Sequence, residues 1–429
     1  MGKMSILAAA VLAASGTSAI AGTGFEWGGD VRFRIESIGD VSTHTNGTID
    51  QLFNRDRIRL WASYAPDENI IFKARLTNEF RFYDEGRQVT DAWDPFNELV
   101  PDNLYLDLNK LGGGMLNLRV GRQDMFYGNG RVIADGTPLD GSRTFFFNAI
   151  KANVIFNAAN KLDLLGIYNT YRDPLTLNQQ EKVYLLEQGQ DESALGLYGS
   201  NSQFEQFPFE YYWVFKHEDN SLMTDRKTKQ DADFHTFGAR VMPKFGSGVS
   251  GNLEVAIQSG DHGDANVGGS MLDASLTFAP DWGGSLKPSF TAGYYYLSGG
   301  DLAGQGNDES WHPIFSRWPQ ISELYLYSWV GSQYGVGGWT NLSAPFVGLD
   351  LVPFDQSTFK LRYYDLSADL ADGPGGGDKR GDLITAQLTY NYTKNLKGHL
   401  IAEFLDTGDY YTPGTDDANY VRFQVEYSF

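Results

Sequence analysis

The last eleven residues, Asn419 to Phe429, alternate without a break. Val421, Phe423, Val425, Tyr427 and Phe429 fall on one face, and Arg422, Gln424, Glu426 and Ser428 on the other. A period of two belongs to a strand with one apolar and one polar side. Here the apolar side holds three aromatics and runs to the final residue, where chains are ordinarily frayed and polar. The same pattern follows residue 22, with Phe25, Trp27, Val31, Phe33 and Ile35 against Glu26, Asp30, Arg32, Arg34 and Glu36. Further on, Ile58, Leu60, Ala62 and Tyr64 oppose Arg57, Arg59 and Ser63. Ile70, Phe72, Ala74 and Leu76 oppose Lys73, Arg75 and Thr77, and Leu116, Leu118 and Val120 oppose Asn117 and Arg119. Such strands build either a soluble sandwich, with the apolar faces in a core, or a membrane barrel, with those faces on lipid.

Three features favour the barrel. Aromatics stand near the ends of the apolar faces (Trp27, Tyr64, Phe80, Tyr392 and Tyr427), as interfacial girdles require. Connections alternate between short ones, such as 65–69, 110–114 and 393–395, and long ones, such as 38–53, 124–146, 218–232 and 299–339. A sandwich also offers no reason for arginines on the polar face of strand after strand. The expected fold class is all-β: a closed antiparallel transmembrane β-barrel, with short periplasmic turns and long extracellular loops. Parity of the connections requires two weak strands, placed at 194–200 and 208–216, and brings the total to about 18, with 16 as the next count. The 14% aromatic content and 49 glycines agree with an all-β chain.

Residues 1–21 have the form of a cleavable leader: Lys3, an apolar run too short to span a bilayer, then Ala19-Ile20-Ala21. Residues 22–429 are then one outer-membrane barrel domain of an exported chain. A net charge of −20 excludes a nucleic-acid partner. The absence of cysteine excludes disulfides and thiolate chemistry. No nucleophile-and-base motif occurs among the six histidines, so no enzyme activity, catalytic residue, cofactor or metal site is expected. Asp261, His262 and Asp264 lie close together, and a solvated loop accounts for them.

Two groups stand out as candidate sites. The first is the inward basic set: Arg32, Arg34, Arg57, Arg59, Lys73, Arg75, Arg119, Arg362 and Arg422, with Lys151, Arg240, Lys287 and Lys360 on the same faces. Rings of arginine and lysine in a narrow passage attract anions. Glu36, Glu79, Asp107, Glu254, Glu403 and Glu426 point inward too, so each arginine either meets solute or braces the wall. The second group is Trp311, His312, Phe315, Arg317 and Trp318, in a long loop rich in aromatics. It forms a constriction, stacks on sugar rings, or packs on the wall as a plug.

The segments "NRDRIRLWASYAP", "IIFKARLTNEFRF", "LRVGRQDMFYGNGRV" and "DFHTFGARV", with the aromatic terminus, resemble the alginate-export family of outer-membrane barrels across the whole mature chain. The resemblance implies an 18-stranded monomer with a positively charged pore, and gives Arg57, Arg59, Arg75, Arg119 and Arg362 a role in conduction. The expected function is a passive outer-membrane porin for anionic solutes, acidic saccharides or a polysaccharide such as alginate. The alternative is a general or sugar-uptake porin of weak selectivity. The expected partners are outer-membrane lipid and lipopolysaccharide, an anionic saccharide or other small anionic solute, and the outer-membrane assembly machinery, whose recognition signal the terminal strand resembles.

Overall fold

The computed structural model describes residues 23–43, 47–85, 99–135, 146–171, 173, 175, 177, 191–222, 229–300, 307–316, 318, 320–324, 339–371, 373 and 375–429. The leader expected over residues 1–21 and the candidate Arg317 lie outside them.

Eighteen antiparallel strands make one closed sheet. They are β1 (Gly24–Thr43), β2 (Gly47–Asp67), β3 (Ile70–Glu85), β4 (Val100–Lys110), β5 (Leu116–Gln123), β6 (Phe147–Asn157), β7 (Asn160–Asn169), β8 (Glu192–Asn201) and β9 (Phe209–Leu222). The second half is β10 (Lys229–Val241), β11 (Val249–His262), β12 (Ser270–Phe278), β13 (Ser289–Leu297), β14 (Leu342–Leu351), β15 (Ser357–Ser367), β16 (Lys379–Asn391), β17 (Leu396–Thr407) and β18 (Ala418–Ser428). Three pieces of two or three residues, Lys244–Gly246, Ala265–Val267 and Asn307–Asp308, attach to this sheet. Closure is direct: β18 pairs with β1 from Asp30 opposite Ser428 to Gly39 opposite Asn419. No edge remains for lipid or another chain to meet.

Both strands that parity demanded are present, as β8 and β9. Two expected loops are shorter than anticipated. Residues 38–53 are mostly ladder, with Ile38 opposite Gln51 and Val41 opposite Ile49, because this hairpin is rich in β-branched residues. Likewise Ser221 pairs with Gln230, inside the expected loop 218–232.

The two faces divide as the period predicts. On β18, Phe423 is 52% and Tyr427 49% exposed, while Arg422, Gln424 and Glu426 are buried inside the barrel. Trp27, Tyr64 and Tyr392 stand among the exposed residues of the outer wall. An apolar belt of this extent is sustained by hydrocarbon and not by water. Short turns close one end of the barrel. In the turn between β4 and β5, Gly112, Gly113 and Gly114 have φ of 57°, 75° and 95°, a left-handed path that glycine takes without steric cost.

The apolar interior lies inside the lumen. Met125, Val132, Ile133, Trp311, Ile314, Phe315 and Leu324, from the β5–β6 and β13–β14 connections, are buried against Phe147, Tyr198, Tyr212, Phe234 and Tyr295 of the wall. The two connections are joined by backbone bonds, from Phe315 N to Val132 O (3.0 Å) and from Ala134 N to Phe315 O (2.8 Å).

Candidate functional site

The polar faces of β1–β5 and β15–β18 enclose a lumen cavity of about 870 Å³. Its roof is Trp318 and residues 320–323 of the in-folded loop together with Met125 and Phe126. Ten of its lining side chains are arginine or lysine and four are aspartate or glutamate.

The basic residues do not stand alone. Arg57 and Arg59 share Asp30, at 2.9 and 2.6 Å, and Arg57 also reaches Glu426 at 3.4 Å. Arg119 forms a forked pair with Asp107 at 2.6 and 2.8 Å, and Arg75 lies between Asp102 and Asp124. Arg362 meets Asp350 at 2.6 Å. Arg34 and Arg422 converge on Glu36, and Arg422 also holds Glu323 of the loop at 2.8 Å. Adding Asp30, Glu36, Asp102, Asp107 and Asp350, which touch these cations from behind, raises the carboxylates to nine against ten cations. Among the described residues the wall is therefore close to neutral in total, but ten cations and only four carboxylates face the cavity, with five carboxylates behind. Among the described residues, Lys73 and Lys360 line the cavity with no carboxylate within ion-pair distance. Lys73 lies over the Trp61 ring at 5.0 Å.

Of the nine residues expected to form the basic path, Arg34, Arg57, Arg59, Lys73, Arg75, Arg119, Arg362 and Arg422 line this cavity. Arg32 does not. It is fully buried and bonded to Glu79 at 2.9 Å, which Arg55 also binds, so its part is to brace the wall. Lys287 lies in the short turn before β13, away from the lumen.

Residues 307–316, 318 and 320–324 belong to a strap across the barrel. His312 exchanges two hydrogen bonds with the Gln258 amide (2.7 and 2.8 Å), and Lys216 donates to the Ile314 carbonyl at 2.6 Å. Trp318 Nε1 donates to Gly130 O at 2.9 Å. At the far wall, Glu403 accepts from Ser322 Oγ (2.5 Å) and Leu324 N (2.9 Å). Stacking of a sugar on Trp311 or Phe315 is excluded, because both rings are buried in the packed interior and Phe315 meets Phe147 edge-on. His312 packs against Phe234 and Asp308. Trp318 alone of the described loop candidates faces the cavity. The described part of the strap roofs the cavity and packs against the wall.

Several buried charges escaped the sequence reading. Arg122 forks onto Asp173 at 2.8 and 3.0 Å and lies over Phe146. Gly121 before it has φ of 124°, and a Cβ there would press into the Leu104 carbonyl, while the ladders on both sides of β5 run through it without a register shift. Arg131, on the β5–β6 connection, binds Asp273 at 2.7 Å and Gln320 of the strap at 2.9 Å. Burial opposes its charge, but Asp273 outweighs burial and its pKa stands above the ordinary arginine value. Tyr127, on the same connection, is raised well above the ordinary tyrosine value by burial and by Asp163, to which its hydroxyl donates.

A family model described as alginate export matches residues 25–373. The chain belongs to the alginate-export family. Several solved outer-membrane barrels share its fold. Pseudomonas aeruginosa OccK5 (OpdH) is 13% identical with a TM-score of 0.58, over 95% of this chain and 98% of that one. Acinetobacter baumannii OccAB4 is 11% identical with a TM-score of 0.59, over 95% and 99%. The outer membrane protein OprD from P. aeruginosa is 12% identical with a TM-score of 0.53, over 95% of each chain. Identities this low carry the fold and nothing finer. A search of curated proteins finds no match. The protein is thus a porin-like barrel of the bacterial outer membrane, from a family of channels and not of enzymes. Its short turns face the periplasm and its loops the exterior.

Proposed function

We propose that this member of the alginate-export family is a passive channel for anionic solutes, with acidic saccharides, or a polysaccharide such as alginate, as the substrate class. The reading rests on the cavity wall, where ten cationic side chains face the lumen beside four carboxylates, and two of the ten, Lys73 and Lys360, have no carboxylate partner among the described residues. A guanidinium held from behind keeps its remaining N–H groups for a carboxylate in front, in the fork geometry arginine favours. Tyr364 and Trp318 on the same surface offer rings to a saccharide. We further propose that residues 1–21 are removed on export, that the terminal strand is the signal read by the assembly machinery, and that the barrel works as a monomer amid lipid and lipopolysaccharide.

The pairing of all eight expected arginines with carboxylates favours a second reading, a sugar-uptake porin of weak selectivity. Reversal potentials in a planar bilayer under a salt gradient separate the two. An anion-preferring current, blocked by oligomers of a uronic acid and not by neutral oligosaccharides of equal length, supports the first. A current without ion preference, blocked equally by both, supports the second.

A further inference from the structure

His262 ends β11, fifty positions before His312, yet the fold brings the two together. Ala265–Val267 turns back along β11, and Asn307–Asp308 pairs in parallel with it, Val267 opposite Asp308. The Gln258 amide then fixes the backbone of His312. One candidate ligand atom from each of His262, Asp308 and His312 lies within 4.8 Å of the others. His262 is not the solvated loop residue expected from the sequence. It is 1% exposed and Asp308 2%, while the His312 side chain keeps 16% exposure.

An Asp308–His312 ion pair would be sufficient to hold the strap, and it does not require a second imidazole. The His262 ring nevertheless meets the His312 ring edge-on at a centroid distance of 5.6 Å. Carboxylates also gather around the pair. Glu192 and Glu218 both bind Lys216, and Glu218 and Lys216 lie close enough to act on His312.

We propose that His262, Asp308 and His312 form a binding site for a divalent transition-metal cation of the zinc type, which pins the strap to the outer end of β11. Two imidazoles and one carboxylate suit zinc, cobalt or nickel, whereas calcium and magnesium prefer oxygen ligands throughout. Bonds of about 2.0–2.2 Å place tetrahedral ligand atoms about 3.3 Å apart, so the three side chains close by a small movement and leave a fourth position for water. On entry, any proton held by a ligating ring nitrogen leaves to bulk water, and the lone pair it occupied goes to the metal. The ion joins two connections that otherwise meet through hydrogen bonds and a short ladder.

The test uses untagged, detergent-folded full-length protein stripped with a chelator, then titrated with Zn²⁺ against a chromophoric competitor and with Co²⁺ read by visible absorption. The expected result is one equivalent per chain, unaffected by millimolar Ca²⁺ or Mg²⁺. Loss of a support one shell out from a metal costs ten- to a hundredfold, so H312Q and D308N, each lacking a ligand, should bind about a hundredfold more weakly or worse. H312Q carries the test, because His312 is partly exposed and its loss leaves the buried wall intact. H217Q is the control: it removes an exposed histidine that already holds Asp219 and Asp233, and should leave the titration unchanged. No stoichiometric binding by the parent protein, or undiminished binding by folded H312Q, would overturn the site.

Discussion

Replacing Lys73 and Lys360 with glutamine should invert the ion preference of the channel. Ten cations and nine carboxylates border the cavity, so the double variant leaves eight against nine. A volume of about 870 Å³ corresponds to a radius of about 6 Å. At that distance one charge acts on a monovalent ion with about 0.7 kcal/mol in water, roughly halved by screening at physiological salt. Two lysines together contribute about 0.7–1.4 kcal/mol, or a three- to tenfold change in anion partitioning with the opposite change for cations. Neither lysine has a carboxylate partner among the described residues, so the substitution leaves no buried charge unmatched. The assay is the reversal potential in a tenfold potassium chloride gradient, with K287Q, in a periplasmic turn, as the unchanged control. A reversal potential that stays in place in K73Q/K360Q would refute the charge balance and assign selectivity to the paired arginines or to the loops.

Other perturbations separate bracing from conduction. R57A/R59A leaves Asp30 without either guanidinium; because the pair is largely buried, a loss of about 3–5 kcal/mol in urea unfolding is expected, with a shift toward cations, whereas D30N should shift toward anions. E403A removes the acceptor of Ser322 Oγ and Leu324 N, charged hydrogen bonds of about 1.5–3 kcal/mol each, and should raise single-channel conductance and its open-state noise; a trace identical to the parent would show that the strap is held elsewhere. G121A should cost about 2 kcal/mol or more, since it combines a left-handed backbone with a collision at Leu104 O, and the fraction of heat-modifiable folded barrel on a gel reads that loss.

The barrel was legible because its physics is local. A side-chain period of two marks each strand and its lipid face, and the parity of short and long connections recovered β8 and β9 where the pattern alone was weak. The inward direction of Arg57, Arg119 and Arg422 followed from the same period. Their partners did not, since pairing depends on register between strands: Arg32 meets Glu79 across 47 positions and Arg34 meets Gln424 across 390. Arg122 was hidden because its partner Asp173 lies 51 positions away, in a connection whose course periodicity does not describe. The strap's course and the meeting of His262 with His312 depend on how an aperiodic loop folds inward, and periodicity carries no information about that.

The junction of β1 with β18 also has a consequence for the order of events in folding. Bringing together segments separated by nearly the whole chain costs about 5 kcal/mol of loop-closure entropy beyond the length-independent part, before any contact across the seam offsets it. Every other neighbouring pair among the eighteen strands is next in sequence, so hairpins can accumulate one by one while this join waits for β18. A chain that lacks β18 therefore carries two bare edges, and only one that has it can seal. The seam thus acts as a check on the presence of that strand, and it keeps the polypeptide in an open, transferable state until β18 is in place.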